Sequence, residues 1–358
     1  MTTEQQVQDQ AKLTSRLDFG LFHEFARRPG QSFAETFDES FELVDAAEEW
    51  GLDAVWLAEL HVQPNRTVLA APLTIASAIA ARTERIKIGT GVQVLPLCHP
   101  LRLAEETATI DQISEGRLLF GVGRSGNPRS YVAYGVPYSE SRERFLETLE
   151  IVKRAWTQPS FSYEGKYYSF NNASAVPQPY QKPCPPIRVA AASEETFPSL
   201  GEAGYPIFVA VRSGSLSGLA PDLAAYRQAY KAAGHPGDGE VYLRLTLHIA
   251  DTDRQAQEEA ETSIMSGYRT LSTRLENSPN RRRAAEAQTV KTISYEEVRR
   301  DKVIIGGPES VADRLQQLHE ELGLDGILAE LNFGALIPAE PMTRSLQLLC
   351  EKVMPRLH

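Results

Sequence analysis

Short apolar runs recur along the chain, each trailed by a longer stretch with helical spacing, and this alternation predicts βα units around a parallel sheet. The runs are LDFGLF (17–22), AVWLA (54–58), RIKIGTGVQV (85–94), RLLFGVG (117–123), IRVAAA (187–192), YPIFVAV (205–211), VYLRLTLHIA (241–250) and DGILAEL (325–331). Helices are predicted over 36–51, 69–82, 101–114, 141–156, 219–233, 306–323 and 340–356, with two more starting at Ser193 and Asp253. In the first of these Phe37, Phe41 and Val44 share one face, with acids on the other. Two stretches break the rhythm. Residues 158–186 hold an aromatic alternation around Glu164-Gly165, a hairpin signal, and then a Pro-rich tail. Residues 268–302 are polar and Arg-rich, which predicts a mobile insertion able to serve as a lid.

Eight strands, each followed by a helix, predict an α/β fold of the closed (β/α)8 TIM-barrel type, with an open doubly wound sheet as the alternative. Such a barrel takes about 250 residues. The 358 residues here leave room for the two insertions and a tail. The expected organisation is a disordered polar tail over 1–16 and one barrel domain over 17–358, with insertions near 158–186 and 268–302.

Charge narrows the partners. Thirty-seven basic against 47 acidic side chains give a formal net charge of −10, which argues against a protein that wraps nucleic acid. Three scattered cysteines, with no CxxC pair, read as reduced thiols in a cytoplasmic protein. The opening MTTEQQVQDQAKLTSR lacks the apolar segment of a secretory signal. No apolar run approaches the roughly 20 residues needed to span a bilayer. Metal chemistry is not expected, because the seven histidines show no HxH or HExxH spacing. No GxSxG elbow of a hydrolase occurs either.

In a parallel barrel the chemistry sits where strands end. The polar residues at those ends are His23 and Glu24, Glu59 and His61, Arg124, Ser193, and Arg212 with Ser213. Gly121-Val-Gly123-Arg-Ser-Gly126 matches GxGxxG after a strand, but a dinucleotide fingerprint needs a helix to open at once. Asn127-Pro128 follows instead, and helical periodicity is read only from Ser141, so the segment is read as a glycine-rich loop that projects Arg124. Ser193 and Thr196 open the fifth-unit helix, where hydroxyls and free N–H groups suit an anion. A plain serine cap, with Glu194 and Glu195 complementing the dipole, fits equally well.

Three blocks carry a resemblance: AEEWGLDAVWLAELHV (47–62), RIKIGTGVQVLPLCHPLRLAEETATIDQISEGRLLFGVGRS (85–125) and IGGPESVADRLQQLHEELGLDGIL (305–328), with LQLLCEKVMPRL (346–357) closing the chain. Their order and spacing resemble the bacterial luciferase-like monooxygenases, flavin-dependent (β/α)8 barrels. The resemblance implies an enzyme that takes reduced FMN from a separate flavin reductase and forms a C4a-peroxyflavin with dioxygen. That adduct would oxidise a small organic, commonly carbonyl, substrate. It implies that Arg124 and Arg142 lie near the flavin phosphate and that the Ala192–Ser193 turn and Thr196 contact it. Gly91-Val92 would pack on the isoalloxazine ring, where the family often has a non-prolyl cis peptide. The family's reactive cysteine falls on Gly123, which is expected to open space near the flavin. Luciferases have Glu-His-His after strand two, the first histidine being their base. Glu59-Leu60-His61 keeps only the second.

His61 is therefore the expected acid–base group, since an imidazole titrates near neutral pH, and His23 is a second pocket candidate. Some relatives suggest an alternative, a deazaflavin-dependent hydride-transfer oxidoreductase, and the missing histidine at Leu60 leaves open a second, a non-catalytic flavin-binding barrel. Relatives further suggest a homodimer, for which the alanine-rich helix 69–81 offers a close-packing face as well as a cover for the barrel.

Overall fold

The computed structural model describes residues 16–211, 214–276 and 281–357. Eight parallel strands close into a ring: β1 (Asp18–His23), β2 (Ala54–Leu57), β3 (Lys87–Thr90), β5 (Leu118–Gly123), β8 (Ile187–Ala190), β9 (Ile207–Ala210), β10 (Val241–Ile249) and β12 (Gly326–Glu330). Each pairs with the next, and β12 returns to β1 with Asp18 opposite Gly326 and Leu21 opposite Ala329. All eight runs predicted as strands are strands of the barrel. Two short strands attach to it: β4 (Gln93–Val94) beside β5 and β11 (Ile304–Gly306) beside β10. The predicted hairpin is present as β6 (Phe161–Glu164) and β7 (Ser169–Ala173).

Period-two alternation sorts the strand residues. Phe19, Leu21, Val55, Leu57, Leu243, Leu245 and Ile327 face the surrounding helices and form the main core. Phe22, Ala54, Trp56, Leu119, Phe208, Tyr242 and Leu328 pack inside the ring. Trp56 fills the centre because Gly20 and Gly89 have no side chain; a Cβ on either would overlap its indole. Arg188 stacks 3.6 Å from the Tyr242 ring centroid and 5.1 Å from that of Trp56, closing the lower half. Any open volume must therefore lie above, at the carboxyl ends of the strands.

The helices follow local signals. In α1 (Phe33–Glu49) Ser32 and Glu35 form a reciprocal capping box. Pro72 begins α2 (Pro72–Arg82) and Pro100 begins α3 (Pro100–Ile113), where a missing N–H costs nothing. Next come α4 (Pro128–Ala133), α5 (Ser141–Thr157), α6 (Thr196–Glu202) and α7 (Ala220–Ala232). After β10 the chain runs through α8 (Asp253–Glu276), α9 (Arg281–Thr292) and α10 (Tyr295–Asp301), and then α11 (Pro308–Leu322) and α12 (Ala339–Leu348).

Local structure departs from the sequence reading in four places. The described part of 268–302 is helical, because Tyr268, Leu275, Ala287, Val290 and Val298 are buried at helical intervals among the arginines. A helix opens soon after the GxGxxG segment: Asn127 caps α4 with Pro128 in its first turn, so the dipeptide read as a break is a start signal. The run 85–94 is two strands, divided at Gly91–Val92. Arg16, assigned to the tail, pairs with Asp53, and residues 1–15 lie outside the described residues.

Candidate active site

A cavity of about 390 Å³ opens at the carboxyl ends of the strands. Its wall collects Phe22 and Glu24 from β1, Ala58–Leu60 after β2, Gly91–Val92 after β3, Ser125–Arg129 after β5, Ala210 and Val211 at β9, Arg244 and Thr246 on β10, and Glu330 on β12. Tyr268, Leu271 and Leu275, spaced along one face of α8, reach it together with Phe333. The volume lies within the usual range for small-molecule sites, and its lining mixes apolar side chains with a few charges.

The floor is built where β3 breaks. The Gly91–Val92 peptide bond is cis, the Gly91 N–H donates to the Leu57 carbonyl at 2.7 Å, and Phe22 and Trp56 pass 3.4 Å from where a Gly91 Cβ would stand. Gly123 does not open space here, contrary to expectation. A Cβ on it would lie 2.5 Å from Val92 Cγ2, so the vacated volume is filled by Val92.

Glu59 lines the cavity and His61 stands behind it. Glu59 Oε1 is 2.7 Å from His61 Nε2, and Glu59 Oε2 accepts from the Val94 N–H at 2.6 Å. On its far side His61 Nδ1 is 3.2 Å from the Tyr134 hydroxyl, and Tyr134 is half exposed just beyond α4. The expected acid–base histidine thus meets the cavity through a carboxylate. His23 faces the other way. It alternates outward on β1, packs 4.6 Å from Phe25 and hydrogen-bonds the Ser40 backbone of α1; burial pushes its pKa down to about 4. It is a wall residue of the core, away from the cavity floor.

Arg124 and Arg142 are both exposed, and neither has a carboxylate at ion-pair distance among the described residues. Tyr131 ties them together, since its hydroxyl donates to the Arg124 carbonyl and is also bonded to Ser141, the neighbour of Arg142. The β5–β8 register pairs Val122 with Val189, so two residues further on Arg124 comes level with Ala191. Ala192, Ser193 and Thr196 continue from there. Ser193 Oγ lies 2.6 Å from Thr196 Oγ1, and Thr196 Oγ1 donates to the Ser193 carbonyl at 2.7 Å. All of these residues therefore stand at the same end of the barrel, on the β5–β8 side. Arg212 and Ser213 lie outside the described residues.

Sequence reasoning missed a buried charge network across the mouth. Glu24 Oε2 accepts from Arg66 Nη2 at 2.5 Å and from Arg66 Nε at 2.8 Å. Arg244 Nη2 donates to Glu330 Oε1 at 2.6 Å and to Glu24 Oε1 at 3.3 Å, and its Nε donates to Glu330 Oε2 at 3.1 Å. Burial alone would raise the Glu24 carboxyl pKa, but the Arg66 and Arg244 guanidiniums outweigh it and hold Glu24 below the usual range. A signal was present: Arg244, Thr246 and Glu330 interrupt apolar strands on the inward phase of the alternation. Among the described residues no group of three or more His, Cys, Asp or Glu could hold a metal. No described helix is long and apolar enough to cross a membrane.

Comparison with known proteins places this geometry. The oxygenase component of a flavin-dependent trigonelline monooxygenase from Acinetobacter baylyi is 27% identical over 342 residues, covering 91% of each chain. An F420-dependent glucose-6-phosphate dehydrogenase from Kineococcus radiotolerans is 28% identical over 319 residues, covering 87% of this chain and 90% of its own. The crystal structure of the monooxygenase RslO1 from Streptomyces bottropensis superposes with a TM-score of 0.81 at 26% identity, covering 95% of this chain and 99% of its own. The family model for luciferase-like monooxygenases matches residues 17–326. With that match spanning nearly the whole barrel, the chain belongs to the luciferase-like monooxygenase family.

Proposed function

We propose that this chain is an FMN-dependent monooxygenase that oxidises a small organic substrate, a carbonyl compound being the favoured class. The residues present fit the cofactor. Two exposed guanidiniums, Arg124 and Arg142, and the Ser193 and Thr196 hydroxyls stand at the same end of the barrel on the β5–β8 side, a donor set suited to a terminal phosphate. A planar ring system would rest against Gly91–Val92 and Phe22 on the cavity floor. The observation that carries the reading is the gathering of these donors at the strand-end side of the barrel, where a cavity of about 390 Å³ opens. Reduced flavin, when bound, supplies the electrons that activate dioxygen.

The protein's own groups do the rest. Leu60, Val92, Val211, Leu271, Leu275 and Phe333 give the cavity apolar stretches of wall against which a bound ring and substrate would displace water. Glu59 is the carboxyl group that faces it, and His61 and Tyr134 connect it to the surface. Protons would pass from Tyr134 to His61 Nδ1, and from His61 Nε2 to Glu59, without opening the cavity to solvent. The Acinetobacter relative is named an oxygenase component, which supports supply of the reduced cofactor by a separate reductase.

The Kineococcus relative favours a second reading, hydride transfer with a deazaflavin on the same barrel. One experiment separates the two. Purified chain is mixed with photoreduced FMN in air and a panel of ketones and aldehydes, and oxygen uptake and product mass are followed. Substrate-dependent uptake with an oxygen atom in the product is expected. Reduction of a deazaflavin by an alcohol panel, with no oxygen uptake in the first assay, would overturn the monooxygenase reading.

A further inference from the structure

Tyr268 stands on α8 with Leu271 and Leu275 one and two turns further on, and the three line the cavity together. Its place is fixed by the segment that follows β12. Gly267 lets the helix approach Phe333 closely, since a Cβ there would overlap the Phe333 ring. One turn earlier, Ser263 Oγ donates to the Phe333 carbonyl at 2.9 Å and accepts from the Leu336 N–H at 3.0 Å. The Tyr268 ring then meets Phe333 edge to face, with 5.4 Å between centroids.

The hydroxyl at the end of that ring bonds no described residue. Nor is it one of the polar side-chain atoms sealed from open space without a partner, which among the described residues are His23 Nε2, Gln93 Oε1, Thr148 Oγ1, Arg227 Nε and His248 Nδ1. The hydroxyl therefore reaches open space. Tyr268 is only 4% exposed and forms part of the cavity wall, so that space is the cavity. A phenylalanine would pack on Phe333 equally well, whereas burying a hydroxyl without a protein partner brings the fold no gain. Several other donors in the wall are committed within the protein: Arg66 and Arg244 to Glu24 and Glu330, Lys302 to the Gly214 carbonyl, and Thr246 Oγ1 to Glu330 Oε2 at 3.4 Å.

We propose that the Tyr268 hydroxyl is the donor that receives the carbonyl oxygen of the substrate, an uncharged ketone or aldehyde whose apolar body lies along Leu271, Leu275 and Phe333. Burial, with Glu330 nearby, pushes the phenol pKa up, so Tyr268 donates a hydrogen bond and keeps its proton. A neutral donor held by packing orients the carbonyl and draws electron density toward its oxygen, which favours nucleophilic attack at the carbon. This assigns the residue that recognises the substrate class proposed above, and it rests on the monooxygenase reading for the carbonyl compound's being oxidised.

The test uses cyclohexanone, isotopically labelled at the carbonyl, and its alkene isostere methylenecyclohexane, each titrated into the whole chain by calorimetry, with FMN titrated separately. Tyr268→Phe is expected to weaken cyclohexanone by about three- to tenfold, the worth of one neutral hydrogen bond, and to leave the alkene and FMN within about twofold. In isotope-edited infrared spectra the bound carbonyl stretch should lie at lower frequency on the wild type than on the variant, a signature that a merely structural hydroxyl would not move. Because the hydroxyl has no partner among the described residues, both proteins should unfold at the same denaturant concentration. Ketone affinity and band position unchanged in the variant, no ketone binding to the wild type, or an equal loss for ketone and alkene overturns the proposal. A loss of FMN affinity in Tyr268→Phe also overturns it, by assigning the hydroxyl to the cofactor. Failure of FMN to bind, with the Tyr268-dependent ketone binding intact, would instead refute the cofactor reading and leave the carbonyl site standing.

Discussion

His61 Nε2 lies 2.7 Å from Glu59 Oε1, and of the two only the carboxylate lines the cavity. Leu60 stands where the family resemblance puts a histidine base, and Glu59 is the group proposed to meet the reacting species. His61→Gln is expected to lower turnover by about 100-fold, the low end of the usual worth of a proton-transfer group because His61 acts through Glu59. Tyr134→Phe should give a smaller loss that is greatest at the pH where proton supply limits. Because neither side chain stands at the proposed phosphate corner, FMN affinity should stay within a few-fold. Turnover and coupling to product unchanged in both variants would remove the relay from the mechanism.

Arg124 and Arg142 are proposed to hold a phosphate, so their loss must show in FMN and not in riboflavin. Arg124→Ala is expected to weaken FMN binding by about 10- to 100-fold, the worth of a charge-assisted hydrogen bond. Riboflavin, lacking the phosphate, should bind both proteins alike. A matching loss for riboflavin would mean that the variant damages the cavity instead.

Gly121 is required for packing. A Cβ there would overlap the Thr90 carbonyl oxygen, which belongs to the β3 backbone, and would lie 2.6 Å from Phe208 Cε2. Backbone inside a closed ring has nowhere to move, so Gly121→Ala should destabilise the protein by about 3 kcal/mol, the upper end for overpacking. Chemical denaturation measures this directly. A loss below about 1 kcal/mol would show that the ring can relax.

His23 gives a pH dependence whose sign follows from its burial. Its pKa is about 4 in the folded chain against an ordinary value of 6.5, so between those pH values the unfolded chain binds a proton that the native chain does not. Stability from this group is complete above about pH 6.5 and falls as the pH drops toward 4, by about 3 kcal/mol in all. Denaturation of the wild type and of His23→Leu across this range should show a smaller acid loss in the variant. Parallel curves would contradict the assignment.

Much of the architecture could be read directly. All eight barrel strands were visible as apolar runs, because a strand covered on both faces needs few polar positions. The strand-end rule then placed Glu24, Glu59, His61 and Arg124 at the end of the barrel where the cavity opens. Local signals also misled. Arginine-rich composition hid the helical burial of Leu275, Ala287 and Val290, and Asn127-Pro128 was read as a break although it caps a helix.

What the chain order determined by itself is the ring of βα units and the strand ends that face its mouth, since both follow from periodicities of a few residues. Which polar residues act together was decided only by closure of the ring. Glu24 and Arg244 are 220 positions apart and meet because β1 and β10 both adjoin β12. The inward or outward phase of each strand likewise sent His23 into the helix layer and Glu24, its neighbour, into the cavity, a one-residue difference that turns a side chain to the other face.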